Sequence, residues 1–149
     1  MSMLRVVVVS GYAMLATSVG VAGESLRFVE RAEHETVLHR GSAADALGDL
    51  IVFANPLYDA ANRKAAGMSR GSCIRVETGK SWECTFTLAL ADGSLEVSGS
   101  YADEGDSDLA VIGGTGRHAG ARGTLRLHPR DAAHDSYDFI IGLVPRGTP

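Results

Sequence analysis

The sequence is poor in several features that mark common protein classes. Acidic side chains outnumber basic ones and the formal net charge is −4, so the chain offers no basic field for nucleic acid. It has four prolines, one tryptophan and two cysteines, whereas glycine occurs 18 times. Many glycines with few aromatic residues favour short strands and tight turns over long helices. The length of 149 residues fits one soluble domain with a single core.

Motifs for nucleotide binding, hydrolysis and metal binding are also missing. The stretch GGTGRHAGARG, residues 113–123, has the letters of a dinucleotide loop, but such a loop must precede a helix. The alternating GTLRLHP after it predicts a strand, so we expect a strand-to-strand turn. No Walker lysine or Gly-x-Ser-x-Gly elbow is present. The five histidines lack a ligand spacing and are expected at the surface, so no metal site is predicted.

The long apolar run of the sequence lies at its N-terminus. Arg5 precedes VVVVSGYAMLATSVGVAG, which is uncharged and ends in small residues, the arrangement of a secretory signal peptide. We therefore expect residues 1–23 to be a signal peptide and residues 24–149 to form the domain of a secreted protein. The alternatives are a retained first strand or a membrane anchor, and a location in the cytoplasm.

Alternation with period two dominates the remaining chain and predicts strands. The clearest unit is CIRVETGKSWECTFTLALADGSLEVSGSY, residues 73–101, where turns at ETGK and ADGS separate three strands. Centring these turns pairs Cys73 with Cys84, and Cys84 with Tyr101. All three then lie on one apolar face, opposite a polar face.

Further short segments extend this pattern to about seven or eight strands. GSAADALGD and AANRKAAG each predict a helical turn. A sheet of this size must protect its edges, so we predict an all-β fold, a small antiparallel eight-stranded β-barrel. The additional strand segments are SLRFVERAEHETVLH, DLIVFANPLY, DLAVIGG, GTLRLHP and SYDFIIGLVP.

Three stretches of the sequence are LGDLIVFANPLYDAANRKAAG, GSCIRV and LEVSGSYADEGDSDLAVIGGTGRHAGARGTLRL. Together they resemble the allene oxide cyclase family, whose barrel is related to that of dirigent proteins. The resemblance spans residues 26–143. It implies a barrel, usually trimeric, that binds an apolar oxygenated substrate and steers its ring closure without organic cofactor or metal. Such catalysis depends on holding a flexible chain in a reactive conformation and on polar groups that stabilise a developing oxyanion.

The resemblance assigns Asn55, Cys73 and Tyr101 to the catalytic cavity. Each has a structural alternative, because Asn55 can cap a bend before Pro56 and Tyr101 can be a core aromatic residue. Directly opposed cysteines in an exported protein are also plausible disulfide partners, and a Cys73–Cys84 bond would leave no free thiol. The residues expected to line the substrate site are Phe53, Phe86, Leu88, Val97 and Trp82.

The first strand departs from the family pattern. When VER, residues 29–31, is matched to the first strand of the family, Arg27 and Thr36 take the places of a glutamate and a proline. In the family these two residues help to hold an ordered water. A shifted alignment brings Glu30 or Glu35 to the position of the glutamate.

Three functions are compatible with these observations. The first is a cofactor-free isomerase or cyclase for an oxylipin- or polyketide-like substrate, the latter by Diels-Alder chemistry. The second is a dirigent-like protein that controls radical coupling, and the third is a secreted lipid-binding barrel. An enclosed cavity with polar groups at Asn55 and Tyr101 would favour the first, an open acidic pocket the second, and a wholly apolar cavity the third. The expected partners are a small apolar substrate and copies of the same chain in a trimer or dimer.

Overall fold

The computed structural model describes residues 23–145, and their regular secondary structure is entirely β. The predicted signal peptide, residues 1–23, lies outside this part apart from Gly23. No helix within residues 23–145 is long and apolar enough to cross a membrane. The strands are β1 (Ser25–Arg31), β2 (Glu35–Leu38), β3 (Leu50–Asp59), β4 (Ala65–Glu77), β5 (Ser81–Leu90), β6 (Gly93–Ala102), β7 (Ser107–Gly116), β8 (Gly123–Pro129) and β9 (Ser136–Leu143).

The strands form a closed antiparallel barrel. From β3 to β9 each strand pairs with the next, and β9 pairs with β1, which returns to β3. β1 and β2 pair with successive parts of the same edge of β3, so together they form one interrupted strand. The predicted small antiparallel eight-stranded β-barrel is therefore confirmed.

Strand β5 illustrates why these residues form a barrel wall. Its inward side chains are apolar and buried, whereas the intervening Glu83 and Thr85 are exposed on the outer face. Outer polar side chains also pair across strands, since Thr87 donates a hydrogen bond of 2.8 Å to Glu96 on β6. The buried positions of β5 are Trp82, Cys84, Phe86 and Leu88.

The predicted pairing of Cys73 with Cys84 is confirmed, but the pairing of Cys84 with Tyr101 is wrong. Cys84 pairs with Gly99, and Tyr101 pairs with Trp82. The register differs by two residues because Leu90 already pairs with Gly93, so the β5–β6 turn is tighter than expected. A shift of two residues leaves every side chain on its predicted face.

The turns show a further agreement and a further correction. GGTGRHAGARG does join two strands, since β7 ends at Gly116 and β8 begins at Gly123. Gly116 has a φ of 57°, in the left-handed region that glycine tolerates. The predicted helical turns are wrong, because residues 41–49 form bends and a turn, and β4 already begins at Ala65.

The two ends of the barrel differ in packing. We call the end with residues 78–80 and 130–135 the upper end, and the end with residues 91–92 and 117–122 the lower end. A layer of fully buried aliphatic side chains fills the barrel towards the lower end. This layer consists of Leu57, Leu88, Leu95, Leu125 and Ile141.

Candidate functional site

A cavity of about 80 Å³ lies inside the barrel above the aliphatic layer. Its apolar wall contains Ile51, Phe53, Phe86, Leu109, Leu127 and Phe139, with the two cysteines. Its polar residues, which we call the polar arc, are Glu30, Glu35, Ser69, Tyr101 and Tyr137. Glu35 is exposed and Tyr101 is half-buried, so the cavity opens on their side. Drug-sized ligands fill pockets of about 300–1,000 Å³, so the enclosed space accommodates only part of such a molecule.

Glu30 is the most unusual residue of the polar arc. It is 4% exposed, on a strand whose alternation also turns Phe28 towards the core. Its Oε1 has no hydrogen-bond partner among the described residues, and neither does the Oγ of Ser69. Burial raises the pKa of Glu30 from 4.5 to about 7, against smaller opposing effects of nearby Ser69 and Asn55. A carboxyl group with such a pKa can exchange a proton or carry charge near neutral pH.

Asn55 holds the interruption between β1 and β2 in place. Its Oδ1 accepts a hydrogen bond of 2.9 Å from the backbone N–H of His34. Its Nδ2 donates one of 3.0 Å to the carboxylate of Glu35. Asn55 is fully buried and is not among the residues that line the cavity. The structure therefore places Asn55 behind the polar arc, where it positions Glu35 and lowers the pKa of Glu30.

Tyr101 and Tyr137 form a hydrogen-bonded pair of hydroxyl groups. Their oxygen atoms are 2.9 Å apart, and the Tyr101 oxygen is 3.2 Å from Nδ1 of His134. Burial raises the pKa of both phenols, and the carboxylates of Glu30 and Glu35 raise it further. Both hydroxyls are therefore neutral at physiological pH and can donate hydrogen bonds. Glu30 is the direct cross-strand neighbour of Tyr137, which makes the arc continuous from β1 to β6.

The two cysteines form a disulfide in the cavity wall. The bond joins Cys73 on β4 to Cys84 on β5, as predicted. A disulfide has no thiol that could act as nucleophile or acid. The assignment of Cys73 as a catalytic residue is therefore corrected, and Cys73 contributes to the shape of the cavity.

The five residues expected to line the substrate site lie at different heights in the barrel. Phe53 and Phe86 line the cavity and contact each other edge to face, with ring centroids 5.8 Å apart. The remaining three do not line it. Leu88 belongs to the aliphatic layer and Val97 is fully buried in the core. Trp82 lies at the upper end, where the guanidinium of Arg75 stacks over its ring at 3.9 Å.

Four residues of the polar arc were not selected as catalytic candidates from the sequence. Alternation in SLRFVE already indicated that Glu30 shares a face with apolar residues, and this signal could have identified it. Arg27, the literal match to the family's glutamate, is exposed, so the shifted alignment describes the cavity better. Alternation in SYDFIIGL likewise placed Tyr137 on one face with Phe139 and Ile141, whereas Ser69 carried no comparable signal. Within residues 23–145, no three His, Cys, Asp or Glu side chains are grouped to hold a metal ion.

The fold and the site define a small antiparallel β-barrel with a cavity that combines an apolar wall and a polar arc. A family model described as allene oxide cyclase matches residues 27–130, more than half of the sequence. The chain belongs to the allene oxide cyclase family.

Solved structures with the same fold include proteins of several activities. A pyocyanin demethylase is 19% identical, with a TM-score of 0.68 over 79% of this chain and 99% of that one. A pterocarpan synthase dirigent protein is 15% identical, with a TM-score of 0.73 over 87% and 99% of the two chains. A Diels-Alderase from Streptomyces koyangensis is 13% identical, with a TM-score of 0.62 over 84% and 71%. At such identities the likeness establishes the fold alone.

Proposed function

We propose that the protein is a cofactor-free isomerase that binds an apolar oxygenated substrate in the upper cavity and steers its ring closure. One observation carries the proposal: the buried carboxyl group of Glu30, with a pKa of about 7, neighbours neutral tyrosine hydroxyls in a cavity that also has an extensive apolar wall. Two buried atoms of the polar arc, Oε1 of Glu30 and Oγ of Ser69, form no hydrogen bond among the described residues, and such atoms would only destabilise a barrel that stored lipid. Membership of the allene oxide cyclase family supports the same reaction class.

The arrangement matches the charge separation of an allene oxide ring closure. When the epoxide C–O bond opens, the oxygen becomes negative and the adjacent carbon chain becomes positive. The Tyr101 hydroxyl donates a hydrogen bond to that oxygen, and the ionised Glu30 carboxylate stabilises the positive carbons. A new C–C bond then forms within the same molecule, so no atom is gained or lost. The apolar wall holds the chain in the conformation that closes.

The product's chirality tests this function. Purified protein is incubated with an allene oxide generated enzymatically, and the enantiomers of the cyclopentenone are separated. We expect an excess of one enantiomer with the wild type, reduced in Glu30→Gln and Tyr101→Phe. Glu83→Gln is the matched control, because Glu83 lies exposed on the outer face. A racemic product at the uncatalysed rate from the wild type would contradict the proposal for this substrate. A polyketide-like chain that closes by Diels-Alder addition is the alternative substrate class.

A dirigent-like function is the second candidate, and Glu35 is the observation that favours it. Its exposed carboxylate lies where the cavity opens, and the enclosed volume of about 80 Å³ leaves most of a large substrate outside. Such a site could orient a radical made by another enzyme. Oxidising a phenol with a one-electron oxidant in the presence of the protein distinguishes the two functions, since only dirigent activity would make the coupled product chiral.

We also propose that the protein works outside the cytoplasm and as a trimer or dimer. The Cys73–Cys84 disulfide supports export, because disulfides persist in oxidising compartments. Exposed apolar side chains on the outer face, among them Val52 and Ile74, support self-association. Export is tested by measuring the mass of the protein recovered from the medium of expressing cells. We expect this protein to have lost the N-terminal segment. Protein that is purely intracellular and uncleaved would contradict export.

A further inference from the structure

Two histidines depart from the expectation that histidines lie at the surface, and one of them belongs to the candidate site. The other three histidines are exposed, as expected. His118 is only 3% exposed, because the glycine-rich turn folds it directly over Gly114, where a Cβ would clash with its backbone. His134 is half-buried, in the loop between β8 and β9 at the upper end. The expectation is therefore wrong for these two residues.

Hydrogen bonds within this loop fix the position of His134. Its backbone N–H donates a bond of 3.3 Å to the carbonyl oxygen of Asp131. The carboxylate of Asp131 accepts bonds from the backbone N–H of Asp135 at 3.0 Å and from the hydroxyl of Ser136 at 3.1 Å. The φ of His134 is 59°, in the left-handed region that few residues other than glycine adopt. Such backbone conformations are concentrated at functional sites, where the surrounding structure holds them.

The imidazole of His134 contacts both tyrosines of the polar arc. Its Nδ1 lies 3.2 Å from the Tyr101 oxygen. Its ring packs edge to face against Tyr137, with the ring centroids 5.9 Å apart. His134 itself is not among the residues that line the cavity. Any effect of His134 on a bound substrate must therefore be transmitted by the tyrosines.

The direction of these hydrogen bonds follows from counting hydrogen atoms. Tyr137 is 8% exposed, and among the described residues its hydroxyl is hydrogen-bonded only to Tyr101. Tyr137 therefore donates to Tyr101, since a buried O–H without an acceptor is costly. The Tyr101 oxygen has a second lone pair and the hydroxyl has one hydrogen. If His134 were neutral with its hydrogen on Nε2, Nδ1 would compete with the substrate for the Tyr101 hydrogen. With the hydrogen on Nδ1, His134 donates to the second lone pair, and the Tyr101 hydrogen stays available.

We propose that His134 is a positioning residue, which donates a hydrogen bond from Nδ1 to the Tyr101 oxygen and so directs the Tyr101 hydrogen to the substrate. Two donors on the phenol oxygen also polarise its O–H bond, which makes Tyr101 a stronger donor. This gain is largest when the substrate oxygen becomes negative, so it accelerates the chemical step more than it strengthens binding. The inference rests on the proposed ring closure, in which Tyr101 donates to the epoxide oxygen.

Three substitutions of His134 separate its hydrogen bond from the conformation of its loop, because glycine, asparagine and aspartate all tolerate a left-handed backbone. His134→Gly removes the side chain, His134→Asn supplies an amide N–H near the place of Nδ1, and His134→Asp offers only acceptor oxygens at pH 8. We expect kcat for the favoured enantiomer to fall about ten-fold in His134→Gly, with KM nearly unchanged. It should recover to within about three-fold of the wild type in His134→Asn and stay low in His134→Asp. His128→Asn is the matched control and should leave kcat unchanged, because His128 is exposed and pairs with Asp106.

Two further measurements test the route through Tyr101. In a Tyr101→Phe background, His134→Gly should have no additional effect on kcat, since the oxygen through which His134 acts is absent. Independently of turnover, ¹⁵N NMR of the wild-type imidazoles at pH 8 identifies the ring nitrogen that carries the hydrogen. The His134 signals are assigned as those missing from His134→Asn, and we expect the hydrogen on Nδ1.

The results that overturn the positioning role differ from those that overturn the ring closure. The role is overturned if kcat is the same in His134→Gly as in the wild type, or the same in His134→Asn as in His134→Asp. It is also overturned if His134→Gly keeps its full effect in Tyr101→Phe, or if the hydrogen lies on Nε2. A racemic product from the wild type would refute the ring closure itself and the positioning role with it, whereas the NMR measurement determines the tautomer in either case.

Discussion

Replacing Glu30 by glutamine should make the protein more stable, and increasingly so as the pH rises. Folding raises the pKa of this carboxyl group from 4.5 to about 7, mainly by burial. Below pH 4.5 the group is protonated in both the folded and the unfolded state, so its burial lowers the free energy of unfolding only a little. Between pH 4.5 and 7 the unfolded chain loses the proton while the folded protein keeps it, so the free energy of unfolding falls. Above pH 7 the folded state carries the full penalty of the buried charge.

The expected size follows from the shift. Each pKa unit corresponds to about 1.36 kcal/mol, so the shift of Glu30 gives a penalty of about 3 kcal/mol at pH 8. Glutamine cannot ionise, and its amide can donate to the unpartnered Oγ of Ser69. Urea unfolding at pH 4 to 8 should therefore show Glu30→Gln close to the wild type at acidic pH and about 3 kcal/mol more stable at pH 8.

Glu83→Gln is the control for this experiment, because it removes a carboxylate from the exposed outer face of β5. Its stability relative to the wild type should change little with pH. If the difference between Glu30→Gln and the wild type stayed constant across this range, Glu30 would not have a raised pKa, and the reasoning about its proton would be refuted.

Three further predictions concern the Tyr101 hydroxyl, the Cys73–Cys84 disulfide and the outer surface of the barrel. Tyr101→Phe removes the hydrogen bond to the developing oxyanion, so kcat/KM for ring closure should fall about a hundred-fold without loss of folding; an unchanged rate would exclude this role. The double variant Cys73→Ser/Cys84→Ser opens a crosslink with a sequence separation of 11, so the free energy of unfolding measured in urea should fall by about 3 kcal/mol. The chirality of the product should be kept. Loss of chirality in folded protein would contradict a purely structural role of the disulfide. Ile74→Lys should shift an oligomer to monomers in analytical ultracentrifugation, because Ile74 is apolar and 50% exposed, whereas a monomeric wild type would refute self-association.

Much of the barrel could be predicted because a strand's period of two determines which face each side chain occupies. The disulfide followed from this period and from the turn at ETGK. The pairing of Tyr101 did not, because the length of the β5–β6 turn decides the register, and ADGS is compatible with more than one turn. Since the resulting shift was two residues, the predicted faces survived.

The candidate site was harder to predict, because a period-two pattern carries no information about height in the barrel. Leu88 and Phe86 share a face in β5, yet only Phe86 reaches the cavity. Asn55 faces inwards as expected, but hydrogen bonds to His34 and Glu35 occupy its amide. These contacts depend on the break between β1 and β2, which interrupts one continuous alternating segment and which no local sequence signal indicated.

The pH dependence of chiral ring closure tests the central claim most directly. The initial rate of formation of the favoured cyclopentenone enantiomer is measured from pH 5 to pH 9 with the wild type and with Glu30→Gln. Because the ionised carboxylate stabilises the positive carbon chain, we predict that kcat/KM of the wild type rises with pH and levels off above a midpoint near 7. Glu30→Gln should be slower and lack this inflection. A racemic product at every pH, or the same inflection in both proteins, would contradict the account.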